Sequence, residues 1–301
     1  MLSYTSSLTL YQTLTNNTST ANQTTGATLI NEGIRIMLGD IPWPFLETTR
    51  TATTTAATQS YVLPGNMGRL IDVYISVGTY KYVPTEVTSA DDWANINNPS
   101  GVQSDTATYY YILGNTIQFW PVPATTNNTI TYDFLQSSRD ISVADYTTGS
   151  IVTATNGSAS ITGSGTSWTA GMVGKWIRIT STSADNVGDG LWYKISAVGS
   201  ATTLTLTAVY TGVSIVAGSA AYTIGDVSLI PEKYQIGPVY YAAAEYWRKT
   251  GEEGKADRLE AKFEETLNRL RDEEGTKGTS LVVDDGTIYQ SPINPNLAKF
   301  A

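Results

Sequence analysis

Hydrophobic positions along this chain follow two alternating periods. From about Thr24, Ile30, Gly33, Ile34, Met37 and Leu38 fall at i, i+3, i+4, i+7 and i+8. That spacing predicts one apolar face of a helix, which Gly39 and Pro42 then stop. Ahead of it, Leu8, Leu10 and Leu14 lie scattered among Ser and Thr, which reads as a strand-like arm or partly ordered segment. Behind it, IPWPFLE sets Trp43 and Phe45 among prolines, a poor helix and a good packed, extended linker. Over 51–137 the period drops to two. SYVLP (60–64), RLIDVYISV (69–77), KYVPTEV (81–87), TYYYILGNTIQFWPVP (108–123) and TITYDFLQ (129–136) read as strands separated by Gly, Asn and Pro. Gly114-Asn115 predicts a hairpin, and ADDWANI (90–96) one helical turn. Short strands at this spacing suggest a small sandwich or open barrel.

A second β region, 147–224, has a different flavour. Asn156-Gly157 separates alternating runs, and KWIRITSTS, GLWYKISAVGS and TTLTLTAVY follow with Gly clusters between them. Its size and period predict a compact barrel-like or sandwich domain. From Leu229 the helical period returns. Ile236, Val239, Tyr240, Ala243, Tyr246 and Trp247 form one stripe, with Gly237-Pro238 as a kink or a true start. Gly251 ends that helix. A further helix over about 252–273 puts Ala256, Leu259, Phe263, Leu267 and Leu270 on one side and the Glu265/Arg269 pair on the other. The short connection predicts an antiparallel hairpin of the two helices. Residues 276–301 contain prolines and no helical period, and read as an extended tail.

The predicted organisation is α+β. An N-terminal arm and first bundle helix (1–50) lead to a β-sandwich (51–146) and an inserted β-barrel-like module (147–224). A C-terminal helical hairpin (225–275) completes a small bundle built from both chain ends, and a tail (276–301) follows. The expected bundle core is Ile30, Ile34, Met37, Val239, Ala243, Tyr246, Leu259, Phe263, Leu267 and Leu270.

Composition removes most chemistry. Among 301 residues there is no Cys and no His. Disulfides, thiolate or imidazole nucleophiles, Ser-His-Asp triads, zinc fingers and His-ligated metals are therefore excluded. Charged residues are 15% of the chain, and 46 Thr slightly outnumber all Asp, Glu, Lys and Arg together, 45. A Thr- and Tyr-rich chain of this kind suits pleated surfaces and suggests an extracellular or virion-type protein. The formal charge of −9 argues against a sequence-reading nucleic-acid binder. The opening MLSYTSSLTLYQTL lacks the basic and apolar regions of a signal peptide. No run of about 18 apolar residues predicts a membrane span, so no membrane anchoring is expected.

In their order along the chain these pieces resemble a known family. They are a helix ending before IPWPF, a Thr-rich strand leading to SYVLP, the WPVP run, and IPEKYQIGPVYYAAAEYW joined to KADRLEAKFEETLNRLRDEE. Together, over about 24–140 and 226–275, they are similar to the head-to-tail adaptor (connector, neck) proteins of tailed bacteriophages. The resemblance implies a structural, non-enzymatic virion protein, made in the host cytoplasm and placed at the head–tail junction. It implies a homo-oligomeric ring, usually of twelve copies, that docks under the portal and attaches the tail through tail tube, nozzle or fibre proteins. It also implies a channel for genomic DNA without sequence-specific binding. Residues 147–224 interrupt the family's minimal pattern and read as an insertion.

Other constellations read as ordinary structure. GMVGK (171–175) has the wrong spacing for a phosphate loop and is followed by Trp176. DNVGDG (185–190) breaks the calcium-loop pattern at Val187, and it and Asp284-Asp285-Gly286 read as turns. Carboxylate-pair glycoside cleavage needs no His. Asp91, Asp92, Asp133 and Asp140 are its candidates, with Tyr109, Tyr110, Tyr111 and Trp120 as a sugar platform. Solvated carboxylates and strand alternation account for both sets more simply. The alternative functions are thus a carbohydrate-binding or -cleaving tail fibre or spike module, or a tail-completion or baseplate ring protein. No catalytic, cofactor or metal site is expected. The tail carries Leu281, Val282, Val283, Ile288, Tyr289, Ile293, Leu297 and Phe300, apolar residues with no local core. Of these, Leu281, Val283, Ile288, Tyr289, Ile293, Leu297 and Phe300 are the candidate residues for docking on the portal or a neighbouring subunit.

Overall fold

A computed structural model describes residues 1–97, 102–180 and 188–275, and the backbone of 281–284 and 287–290. The helices are α1 (Tyr4–Thr15), α2 (Thr20–Gly39), α3 (Ala90–Ile96), α4 (Gly237–Lys249) and α5 (Glu253–Glu274). The first strands are β1 (Glu47–Thr53), β2 (Ser60–Val62), β3 (Met67–Val77) and β4 (Tyr80–Tyr82). Next come β5 (Thr85–Glu86), β6 (Tyr109–Leu113), β7 (Thr116–Trp120) and β8 (Thr129–Gln136). Then follow β9 (Ser150–Ala154), β10 (Ser160–Ser164), β11 (Trp176–Ile179), β12 (Trp192–Ser200), β13 (Thr203–Leu206) and β14 (Tyr222–Gly225). A last pair is β15 (Leu281–Asp284) and β16 (Thr287–Gln290). The chain is mixed α+β.

Two compact units divide it. One joins Met1–Asp40 to Arg139–Leu270; the other is centred on Ile41–Ser138. In the second, four-stranded sheets β1-β8-β3-β4 and β2-β7-β6-β5 share one core. Val73, Ile75, Ile130, Tyr132 and Phe134 come from the first sheet, and Tyr61, Tyr110, Ile117 and Phe119 from the second. Gly114, at φ +59°, makes the β6–β7 turn at the expected Gly114-Asn115 hairpin, with glycine at the first central position. Pro84 splits the expected 81–87 strand into β4 and β5, because proline has no N–H for the ladder.

In the first unit, β9 to β14 form a sheet of order β14-β11-β12-β13-β10-β9. Its end strand β9 returns to the segment that enters β14. Ile151 and Ala220 exchange N–H···O bonds of 2.8 and 3.0 Å, and Ala154 and Ile215 do the same. The sheet therefore closes around a core that includes Ile161, Trp168, Ile177, Ile195, Leu204 and Tyr222.

Two expectations need correction. Residues 4–15 are a helix, α1, and not a strand-like arm, and α2 begins at Thr20, before Thr24. Serine side chains cap both starts: Ser3 accepts from the Ser6 N–H and Ser19 from the Asn22 N–H. Pro44–Leu46 is one 3-10 turn, and β1 starts directly after it at Glu47, inside the segment assigned to the arm and first helix. Within the expected tail, β15 and β16 pair antiparallel with each other, Leu281 opposite Gln290. Gly237 proves to be the start of α4, with a short 3-10 turn at Glu232–Tyr234 before it.

Candidate functional site

For a chain without Cys or His, the informative site is where distant stretches of chain meet. α1 and α2 both pack on α4 and on each other. Glycine sets the spacing at three points. A Cβ on Gly26 would lie 2.4 Å from the Tyr11 ring, one on Gly33 2.9 Å from Pro238 Cα, and one on Gly237 2.8 Å from Met37 Sδ. The α1–α2 turn is locked by a buried polar group: Tyr11 Oη–H donates to Asn22 Oδ1 at 2.9 Å, and Asn22 Nδ2 donates to Asn17 O at 2.7 Å. Burial, with Tyr246 nearby, pushes the Tyr11 phenol up to about 12.

α5 returns antiparallel along α4. Tyr241 and Phe263 rings meet at 5.5 Å, Lys255 Nζ sits 4.1 Å from the Trp247 ring centroid, and Arg248 reaches both Glu245 and Glu260. Of the residues expected in the helical core, Ile30, Ile34, Met37, Val239, Ala243, Leu259, Phe263, Leu267 and Leu270 are buried. Tyr246 is half-buried, its ring edge-on to Tyr11. Outward, α5 carries eight acidic and five basic residues.

A second meeting point joins the closed sheet to the helices. Where β14 ends, Asp226 is buried and accepts from Arg139 Nη2 at 3.0 Å and from the Ser142 N–H at 3.1 Å. Its own carbonyl accepts the Tyr4 N–H at 2.8 Å, and Ser3 Oγ–H donates to Asp145 at 2.7 Å. Asn31 on α2 exchanges two hydrogen bonds with the Ile141 backbone, at 2.9 and 3.0 Å. Sequence reading missed this joint. Its contacts are single polar residues far apart in the chain, and the serine before each helix was the one local signal.

The remaining candidates fall into structural roles. Asp91 and Asp92 occupy the first turn of α3, where carboxylates suit the helix dipole. Asp140 pairs with Arg35, and Asp133 accepts the Thr49 hydroxyl. Register sets Asp72 opposite Asp133, but Asp72 already accepts the Val73 N–H at 2.8 Å. Trp93 of α3 stacks on Tyr111 at 5.5 Å and donates to Gln118, so α3 covers part of the expected aromatic platform. Tyr110 points into the sandwich core, while Tyr109 and Trp120 pair at 6.4 Å. In GMVGK, Ala170–Met172 is a 3-10 turn and Gly174, at φ +84°, leads into β11. Of DNVGDG, residues 185–187 lie outside the described residues, as do Asp285 and Gly286. Among the described residues no group of three or more carboxylates could hold a metal, and no helix is long and apolar enough to cross a membrane. Leu281, Val283, Ile288 and Tyr289 lie on the β15–β16 ladder; Ile293, Leu297 and Phe300 lie outside the described residues.

A family model described as SU10 adaptor protein matches residues 3–156, 154 of the 301. The chain belongs to this family. It is a phage structural adaptor, and the family is structural and not enzymatic. Membership implies a place at the virion neck and association with phage portal and tail proteins. The adaptor match starts at residue 3 and so includes α1, which the sequence resemblance had left out. The stretch 226–275 lies beyond it. A search of curated proteins finds no match to the chain.

Proposed function

We propose that this adaptor forms a ring, of twelve copies on the family pattern, that docks beneath the portal, prolongs the DNA channel and attaches the tail. One observation carries the reading: α1 and α2 from the start of the chain pack on α4 near its end, so a single helical collar brackets all fourteen strands from β1 to β14. A collar of this kind lets strands reach neighbours without disturbing the channel. The core residues Ile30, Ile34, Met37, Val239, Ala243, Tyr246, Leu259, Phe263, Leu267 and Leu270 hold it together. The segment 147–224 is then an insertion that projects from the collar toward tail proteins.

DNA would pass without base readout. Every copy adds −9, and an acidic lumen repels phosphate over the ~8 Å that physiological salt allows. Residues 276–301 would clamp the portal or the next subunit through Leu281, Val283, Ile288, Tyr289, Ile293, Leu297 and Phe300. An isolated two-stranded hairpin is marginal in water, so β15 and β16 gain most by joining a partner's surface. Deleting 279–301 should leave folded subunits that no longer bind the portal in a pull-down. Portal binding at wild-type strength by that truncation would refute the clamp.

A further inference from the structure

Residues 1–31 contain no charged side chain, although much of this stretch is helical surface. Thr5, Thr9 and Thr13 recur every fourth residue on α1, and Thr20, Thr24 and Thr28 on α2, all exposed. Exposed helix positions ordinarily hold Glu, Lys or Arg, and threonine is a weak helix former because its branched Cβ restricts χ1. Most of these hydroxyls are not offered to solvent. Thr9 donates to Thr5 O and Thr13 to Thr9 O, both at 2.9 Å. Thr24 donates to Thr20 O and Thr28 to Thr24 O, both at 3.2 Å. With the O–H turned back on its own helix, each of these residues has its methyl group left for a neighbour. Burying Thr9, Thr13, Thr24 or Thr28 strands no hydroxyl donor, so these positions are dehydrated at little cost. The two stripes meet: Thr5, Thr9 and Thr24 line one open groove of about 360 Å³ with Leu8, Gln12 and Gln23, and none of its lining residues is charged.

We infer that this uncharged, threonine-lined groove between α1 and α2 seats a second copy of this chain. The inference rests on the ring reading and adds the surface through which copies meet. Identical copies repel one another at −9 each. Contact is least opposed on a face of zero formal charge, and α5, with eight acidic residues, is the opposite case. Nucleic acid would require cations that the groove lacks. Charge depletion at the centre is the compositional mark of protein–protein contacts. In a ring the contact is head-to-tail, so the groove meets a different face of its neighbour.

The chain has no Cys, so Thr24→Cys offers a unique attachment point for a thiol-reactive photo-crosslinker. The full-length labelled protein is assembled on portal and irradiated, and wild-type copy number is read in parallel by native mass spectrometry. Adducts at multiples of 32.4 kDa support the inference. So does assembly by unlabelled Thr24→Cys that the bulky label abolishes while the melting temperature holds. Multimeric wild type with no adduct, or with an adduct to portal or another protein, overturns the groove assignment and leaves the ring intact. Wild type that binds portal as one copy overturns both. Thr9→Cys, also in the groove lining, serves as the second labelling site, and the same outcomes are read from it.

Discussion

Among the described residues, the sheets between Glu47 and Gln136 end in strands with a free edge, whereas the six strands from Ser150 to Gly225 close on themselves. The charges follow that difference. On the open sheets, edge strand β1 carries Glu47 and Arg50, β4 carries Lys81 and β5 carries Glu86, and three of the four edges are only two or three residues long. On the closed sheet, β9, β10, β13 and β14 carry no charge at all. An unpaired edge is a template for unwanted pairing, and shortness and charge are the usual protections. A sheet without edges needs neither, so its strands can be built from Thr, Ser, Gly and Ile. The absence of charge from β9, β10, β13 and β14 therefore follows from topology.

The largest test is core truncation in each region. Phe119→Ala empties a fully buried site in the sandwich and Ile195→Ala one in the closed sheet. Each should cost roughly 2–5 kcal/mol. Because the regions belong to different compact units, calorimetry should show each variant lowering a different transition. One shared transition lowered by both would break the comparison.

Alkaline pH should act on both regions. Burial, with Glu86 nearby, pushes Tyr110 up to about 12, and burial, with Tyr61 nearby, carries Tyr132 higher still. In the closed sheet burial takes Tyr222 up to about 12. The fold favours the neutral phenol, so this stability is complete below pH 10 and is lost as pH rises through about 12. Melting curves at stepped alkaline pH should show both transitions falling between about pH 10 and 12, and a transition that stays level over that range would contradict the burial of its tyrosines.

A smaller effect separates hydrogen bonding from packing. Tyr222 accepts from Trp168 Nε1–H at 3.0 Å and donates to Thr148 O. Tyr222→Phe strands a buried indole donor and should cost about 1–3 kcal/mol, read as a lower denaturant midpoint for the closed sheet alone. The smallest expected change in stability comes from Arg50→Val on the β1 edge, within about 0.5 kcal/mol. Light scattering should nevertheless show it associating at high concentration, while Lys194→Val on the closed sheet stays dispersed.

Much of the fold was legible in the sequence because burial there is apolar and periodic. α2, α4 and α5 announce themselves through Ile30, Ile34, Val239, Leu259 and Phe263, and the strands through alternation. α1 was illegible for a physical reason: the positions it buries are Ser7, Tyr11 and Thr15, a mostly polar stripe that a hydrophobic period cannot detect. Ser3 and Ser19 were the available cues, as caps. Closure of the second sheet depends on Ile215 and Ala220 in an irregular segment, where no period exists to read. The joint at Asp226 was hidden likewise, since Arg139 lies 87 residues away and no local pattern links them.

The most direct test of the adaptor account is a symmetry-free cryo-EM reconstruction of the particle neck. The account predicts a closed ring of about twelve copies under the portal, with α1, α2 and α4 of each copy in the collar. Three copies arranged as a spike away from the portal, or a single copy, would contradict it.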